Sequence, residues 1–134
     1  MKAITVLIID EYPDVRGLLA RGLESLDDFR VVATTGNPLL AAELAHKLRP
    51  DVIIADFRRR GPSREEMFRW IGLSSPRSRL VVLTTYMHDG EEEALLRAGA
   101  SRCLLKGTTV KQLAHELRIL TAGKEAARAR EMSA

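Results

Sequence analysis

A chain of 134 residues, 46% hydrophobic and 29% charged, has the length and composition of one folded domain with a core, which excludes a disordered chain. Its formal charge of +3, from 21 basic and 18 acidic residues, is too balanced to argue for nucleic-acid binding by this domain alone, and its apolar runs are strand-sized, too short for a membrane span. The single Cys103 excludes an internal disulfide, and the start Met1-Lys2-Ala3-Ile4 has no signal-peptide pattern; both fit a cytoplasmic location.

In chain order, Ile4 to Ile9 reads as a strand with one polar interruption, Thr5, and it ends on Asp10-Glu11. Pro13 suits a first helical position, and Val15, Leu18, Leu19, Leu23 and Leu26 repeat at helical spacing until Asp27-Asp28 closes the helix. Arg30 to Thr34 is a short second strand. Asn37 as cap and Pro38 at the first position open a second helix, whose apolar stripe is Leu39, Leu40, Leu44 and Leu48. Val52 to Ala55 is a run buried on both faces and delivers Asp56 as the backbone leaves the sheet.

Gly61-Pro62 breaks the chain, and Ser63-Arg64-Glu65-Glu66 is a capping box for a third helix carrying Met67, Trp70 and Ile71. Leu80 to Leu83 is a fourth strand that runs into Thr84-Thr85. Asp89 to Ala98 is a short helix with an acidic start, ended by Gly99 in a left-handed conformation. Arg102 to Leu105 is a fifth strand with Lys106 at its end. Thr109 and Gln112 cap a last helix with Val110, Leu113, Leu117 and Leu120, which Gly123 ends; the remaining residues fray. Arg58, Arg59, Arg60, Arg64, Arg69, Arg77 and Arg79 are expected to form a solvated basic face.

Strict strand–helix alternation implies an α/β fold: a five-stranded parallel sheet with five helices on both faces, in the flavodoxin-like order 2-1-3-4-5. That order makes neighbours of the strands ending on Asp10-Glu11, Asp56, Thr84 and Lys106. Each residue alone has a structural explanation, since acids after strands often cap the next helix and a lone lysine is usually at the surface. Together they place three carboxylates, a hydroxyl and an ammonium in one crevice. Crowded carboxylates call for a cation, and hard oxygen ligands favour Mg²⁺. A carboxylate beside Mg²⁺ and a lysine is a plausible nucleophile toward phosphorus, with Thr84 and Lys106 engaging the phosphoryl oxygens.

The segments Val6-Leu7-Ile8-Ile9-Asp10-Glu11-Tyr12-Pro13, Pro50-Asp51-Val52-Ile53-Ile54-Ala55-Asp56 and Ala98-Gly99-Ala100-Ser101-Arg102-Cys103-Leu104-Leu105-Lys106 make the resemblance explicit. The chain resembles a receiver domain of the bacterial two-component response-regulator family (CheY-like) over residues 1–123, with 124–134 a polar tail or the start of a linker. It is most similar to regulators with a C-terminal LuxR-type helix-turn-helix, which this sequence does not contain. The resemblance implies that Asp56 accepts phosphate from a sensor histidine kinase. It also implies that Asp10, Glu11, Asp56 and the main-chain carbonyl of Arg58 hold Mg²⁺, and that Thr84 and Lys106 bind the phosphoryl group. Output would pass to a homodimer partner, or to an attached or separate output domain, through the fourth helix, fifth strand and fifth helix.

The chain departs from the family at two places. The aromatic residue usual three positions before the lysine is Cys103, read as a small packing residue rather than a redox sensor. Tyr86, the one candidate to replace that ring, is expected on the loop surface. The usual methionine-proline pair after the acceptor is Arg59-Arg60. These departures motivate an alternative, a degenerate receiver that acts as a phosphorylation-independent interaction module. A phosphatase of the haloacid dehalogenase type is argued against, because Arg58 stands where its general acid would be. No glycine-rich loop follows the first strand to bind a nucleotide. His46, His88 and His115 are read as structural or exposed, with only His88 near the crevice.

Overall fold

The computed structural model describes residues 2–57 and 64–133, with side chains up to Gly123. Its elements are β1 (Ile4–Ile9), α1 (Pro13–Glu24), β2 (Phe29–Thr35), α2 (Pro38–Leu48), β3 (Val52–Ala55), α3 (Arg64–Ser74), β4 (Arg79–Thr84), α4 (Glu91–Arg97), β5 (Arg102–Leu105) and α5 (Val110–Ser133). The strands form one five-stranded sheet in the order β2-β1-β3-β4-β5, every pair parallel, as expected.

Alternation along the strands divides the core in two. Leu7, Ile9, Ile53, Ala55, Leu80 and Val82 face a cluster with residues of α2, α3 and α4. Val6, Ile8, Val52, Ile54, Val81 and Leu83 face residues of α1 and α5. Thr5, the polar interruption in β1, has a specific partner across the sheet. Its N–H and hydroxyl donate to Asp51 Oδ2 at 2.9 and 3.1 Å, and its hydroxyl oxygen accepts from the Asp51 N–H at 2.9 Å. This staple joins the entry ends of β1 and β3, opposite the ends that carry Asp10 and Asp56.

Local signals at several helix ends are realised. Asn37 Oδ1 accepts from the Leu39 N–H at 2.9 Å, and Thr109 and Gln112 form a reciprocal box with both bonds at 3.1 Å. Gly99, at φ +116°, takes the left-handed conformation, and so does Gly90 at φ +78° before α4, which starts at Glu91 rather than Asp89. The Ser63 capping box, like Arg58, Arg59, Arg60 and Gly61-Pro62, lies outside the described residues.

Several side-chain assignments are corrected. α2 buries Pro38, Ala41, Ala42 and Ala45, while Leu39, Leu40 and Leu48 are exposed. Small side chains let that helix lie close to the sheet, a packing criterion that leucine spacing does not report. In α1, Leu18 is exposed; in α3, Trp70 is exposed and Phe68 takes the buried place, its ring 5.0 Å from that of Phe57. α1 ends at Glu24 with Ser25 as cap. Asp28 instead clasps Arg118 of α5, accepting from its Nε at 2.6 Å and Nη2 at 2.9 Å. α5 also continues through Gly123 to Ser133. One glycine costs a helix only about 1 kcal/mol relative to alanine, and the alanine-rich segment that follows has high helix propensity.

Candidate functional site

The sheet's hydrogen-bond ladder continues one residue past three strands. The Asp10 N–H donates to Thr35 O at 3.0 Å, the Asp56 N–H to Ile9 O at 3.0 Å and the Lys106 N–H to Thr84 O at 2.8 Å. Backbone bonds therefore set where these three side chains begin. Asp10, Asp56 and Thr84 are each 3% exposed. Lys106 Nζ lies 2.7 Å from Asp10 Oδ2 and 3.1 Å from Asp56 Oδ2, so one ammonium ties the two acids together. Burial alone would lower the Lys106 pKa. The hydrogen bonds and charges of Asp10 and Asp56 outweigh it and hold the pKa above the ordinary lysine value.

Supporting contacts orient the acids further. The Tyr12 N–H donates to Asp10 Oδ1 at 3.0 Å, and Arg16 Nη1 donates to the Asp10 carbonyl at 2.6 Å. Gly36 makes room for that arginine, because a Cβ there would lie 2.6 Å from Arg16 Nη1 and 3.1 Å from Asp10 O.

Sequence reasoning missed the second cation. Arg64, the first residue of α3 and expected on a solvated face, reaches into the crevice. Its Nη2 lies 2.8 Å from Asp56 Oδ1 and donates to Thr84 Oγ1 at 3.1 Å, while Nη1 pairs with Glu91 in the first turn of α4. The Phe68 ring lies beneath the guanidinium, 5.7 Å from centroid to Cζ. Beside this group opens a cleft of about 650 Å³ lined by Phe57, Arg64, Thr84, Tyr86, His88 and Glu91.

Among the described residues, no three His, Cys, Asp or Glu side chains form a group that could hold a metal ion. Lys106 joins Asp10 and Asp56 directly, and Glu11 follows Asp10 in the chain with one carboxylate oxygen buried. The Arg58 carbonyl lies outside the described residues. The pair still fits part of the donor set of a hard divalent ion, being oxygen-only, anionic and joined through one shared contact.

Tyr86 is exposed, with its ring edge-on to His88 at 4.8 Å. Cys103 packs against the α2–α4 side of the core; burial and then the nearby Glu92 push its thiol up to about 11, as suits a packing residue. His46, His88 and His115 are exposed.

The response regulator receiver domain matches residues 6–118. The chain belongs to that family. As a receiver it is 31% identical over 121 residues to the transcriptional regulatory protein LiaR of Bacillus subtilis, covering 90% of this chain and 57% of LiaR. The chain spans little more than half the length of the curated relatives it matches. Among solved structures, the response regulator domain of Thermotoga maritima CheB has a TM-score of 0.75 at 26% identity, covering 92% of this receiver and 98% of that chain. The signal receiver domain of the putative response regulator NarL from Mycobacterium tuberculosis has a TM-score of 0.79 at 20% identity, covering 93% and 98%, a likeness of fold. Among the described residues, no helix is long and apolar enough to cross a membrane.

Proposed function

We propose that this receiver takes a phosphoryl group from a sensor histidine kinase onto Asp56 in a Mg²⁺-dependent reaction. The observation that carries this reading is the Lys106 ammonium bonded to both Asp10 and Asp56. An Asp56 oxygen attacks the phosphorus of a phosphohistidine. The new O–P bond forms as the P–N bond breaks, and the released imidazole nitrogen takes a proton from solvent. Lys106, kept in place by Asp10, and the Thr84 hydroxyl are the groups on hand for the phosphoryl oxygens. Asp10 and Asp56 would hold Mg²⁺, with Glu11 and the Arg58 carbonyl as the further ligands the family implies. The ion would supply positive charge against the developing phosphoryl charge.

In this reading the domain signals rather than turning over a substrate. It extends over residues 1–123, followed by a polar tail or the start of a linker, and works in the cytoplasm. Output passes through α4, β5 and α5, where Leu96, Leu105 and Ile119 are exposed, to a second copy or an output domain. Incubation with phosphoramidate and Mg²⁺ followed by intact mass tests the first step. One added phosphoryl group is expected on the wild type and none on Asp56→Asn. An unmodified wild type would support the phosphorylation-independent alternative. Sedimentation with and without beryllofluoride tests the output, and an unchanged mass would count against dimer control.

A further inference from the structure

The second cation puts a positive charge on each side of the acceptor carboxylate. Asp10 and Asp56 carry two negative charges, and Lys106 and Arg64 supply two positive ones at 2.7 to 3.1 Å. Glu91 shares the same guanidinium, so the group of three acids and two cations keeps a net negative charge that a divalent ion can still answer. The two cations hold opposite oxygens of Asp56, Lys106 on Oδ2 and Arg64 on Oδ1. They are held differently. Lys106 follows β5 and is anchored to Asp10, whereas Arg64 has its second anchor, Glu91, on another helix beside an open cleft of about 650 Å³.

We propose that Arg64 is a resident counter-ion of the acceptor aspartate: its guanidinium occupies Asp56 Oδ1 in competition with a divalent cation and leaves that oxygen before Asp56 reacts. The proposal rests on the reading of Asp56 as phosphoryl acceptor. Glu91 makes the exchange reversible, because a guanidinium released from Asp56 stays tethered at the mouth of the cleft. Thr84, which accepts from the same Nη2, is released in the same movement. Arg64 is therefore a positioning residue, setting when the carboxylate is available.

Direct Mg²⁺ binding by titration calorimetry on the full chain, comparing wild type, Arg64→Ala and Arg64→Gln, tests this. Circular dichroism confirms that each protein is folded. Removing one positive charge about 3 Å from the carboxylate is expected to tighten Mg²⁺ binding about tenfold in both variants. Glutamine retains a donor for Thr84, so a gain in that variant reports charge rather than lost packing. The Mg²⁺ concentration giving half-maximal phosphoramidate labelling is expected to fall by the same factor. Unchanged or weaker Mg²⁺ binding in the two variants overturns the proposal. If no protein is labelled but the variants bind Mg²⁺ more tightly, the phosphoryl-transfer reading fails and the counter-ion role of Arg64 stands.

Discussion

The two sides of the Asp56 carboxylate are built by different means. On the Oδ2 side, Asp10 and Lys106 sit one residue past β1 and β5, with backbone N–H groups still bonded to the sheet. On the Oδ1 side, Arg64 and Glu91 come from the first turns of α3 and α4 and meet through long side chains. The first arrangement is as rigid as the sheet. The second depends on rotamers and on where two helices begin, so it can be rearranged without disturbing a strand. Stability should therefore concentrate on the Lys106 side and adjustability on the Arg64 side.

Breaking the rigid side should have the largest effect. Lys106→Met leaves Asp10 and Asp56 together without their shared ammonium, and a loss of about 3 kcal/mol is expected in urea denaturation. A wild-type midpoint would show that Arg64 alone can neutralise the pair. Gly36→Ala attacks the same side indirectly. Its methyl group would meet Arg16 Nη1 and Asp10 O, and a cost of about 1–3 kcal/mol is expected. Pairing it with Arg16→Ala should recover part of that cost, whereas simple additivity would mean that the glycine acts elsewhere.

Arg64→Ala should destabilise less than Lys106→Met, by about 1–2 kcal/mol, because Lys106 still holds the other Asp56 oxygen. A loss equal to that of Lys106→Met would erase the proposed difference between the two sides. The smallest effect concerns Cys103. With its thiol pushed up to about 11, reaction with iodoacetamide should stay slow at pH 8 and accelerate only as pH approaches that value. Fast alkylation near neutral pH would identify a reactive thiol and revive a redox role.

The same division governs what the sequence reveals. Strand ends are legible, since an apolar β-branched run that stops at Asp56, or a short one that stops at Lys106, places a polar side chain at a known edge once the strand order is fixed. The positions of Asp10, Asp56, Thr84 and Lys106 are all legible in this way. Arg64 was not legible in this way. Its role depends on the reach of a long side chain and on where α3 starts, neither of which leaves a periodic signal. Its membership of an arginine-rich stretch suggested the wrong environment. The α2 face escapes the pattern for a related reason, because close helix–sheet approach selects alanine where a hydrophobicity pattern selects leucine.

The bonds between Thr5 and Asp51 have a consequence for how this molecule can transmit a change. They pin two central strands at the edge remote from the acids, across 46 positions of chain. A strand held at one end cannot slide lengthwise to relieve an altered charge at the other. Whatever movement begins at Asp56 must then travel sideways, through the connecting loops and the helix starts that follow them.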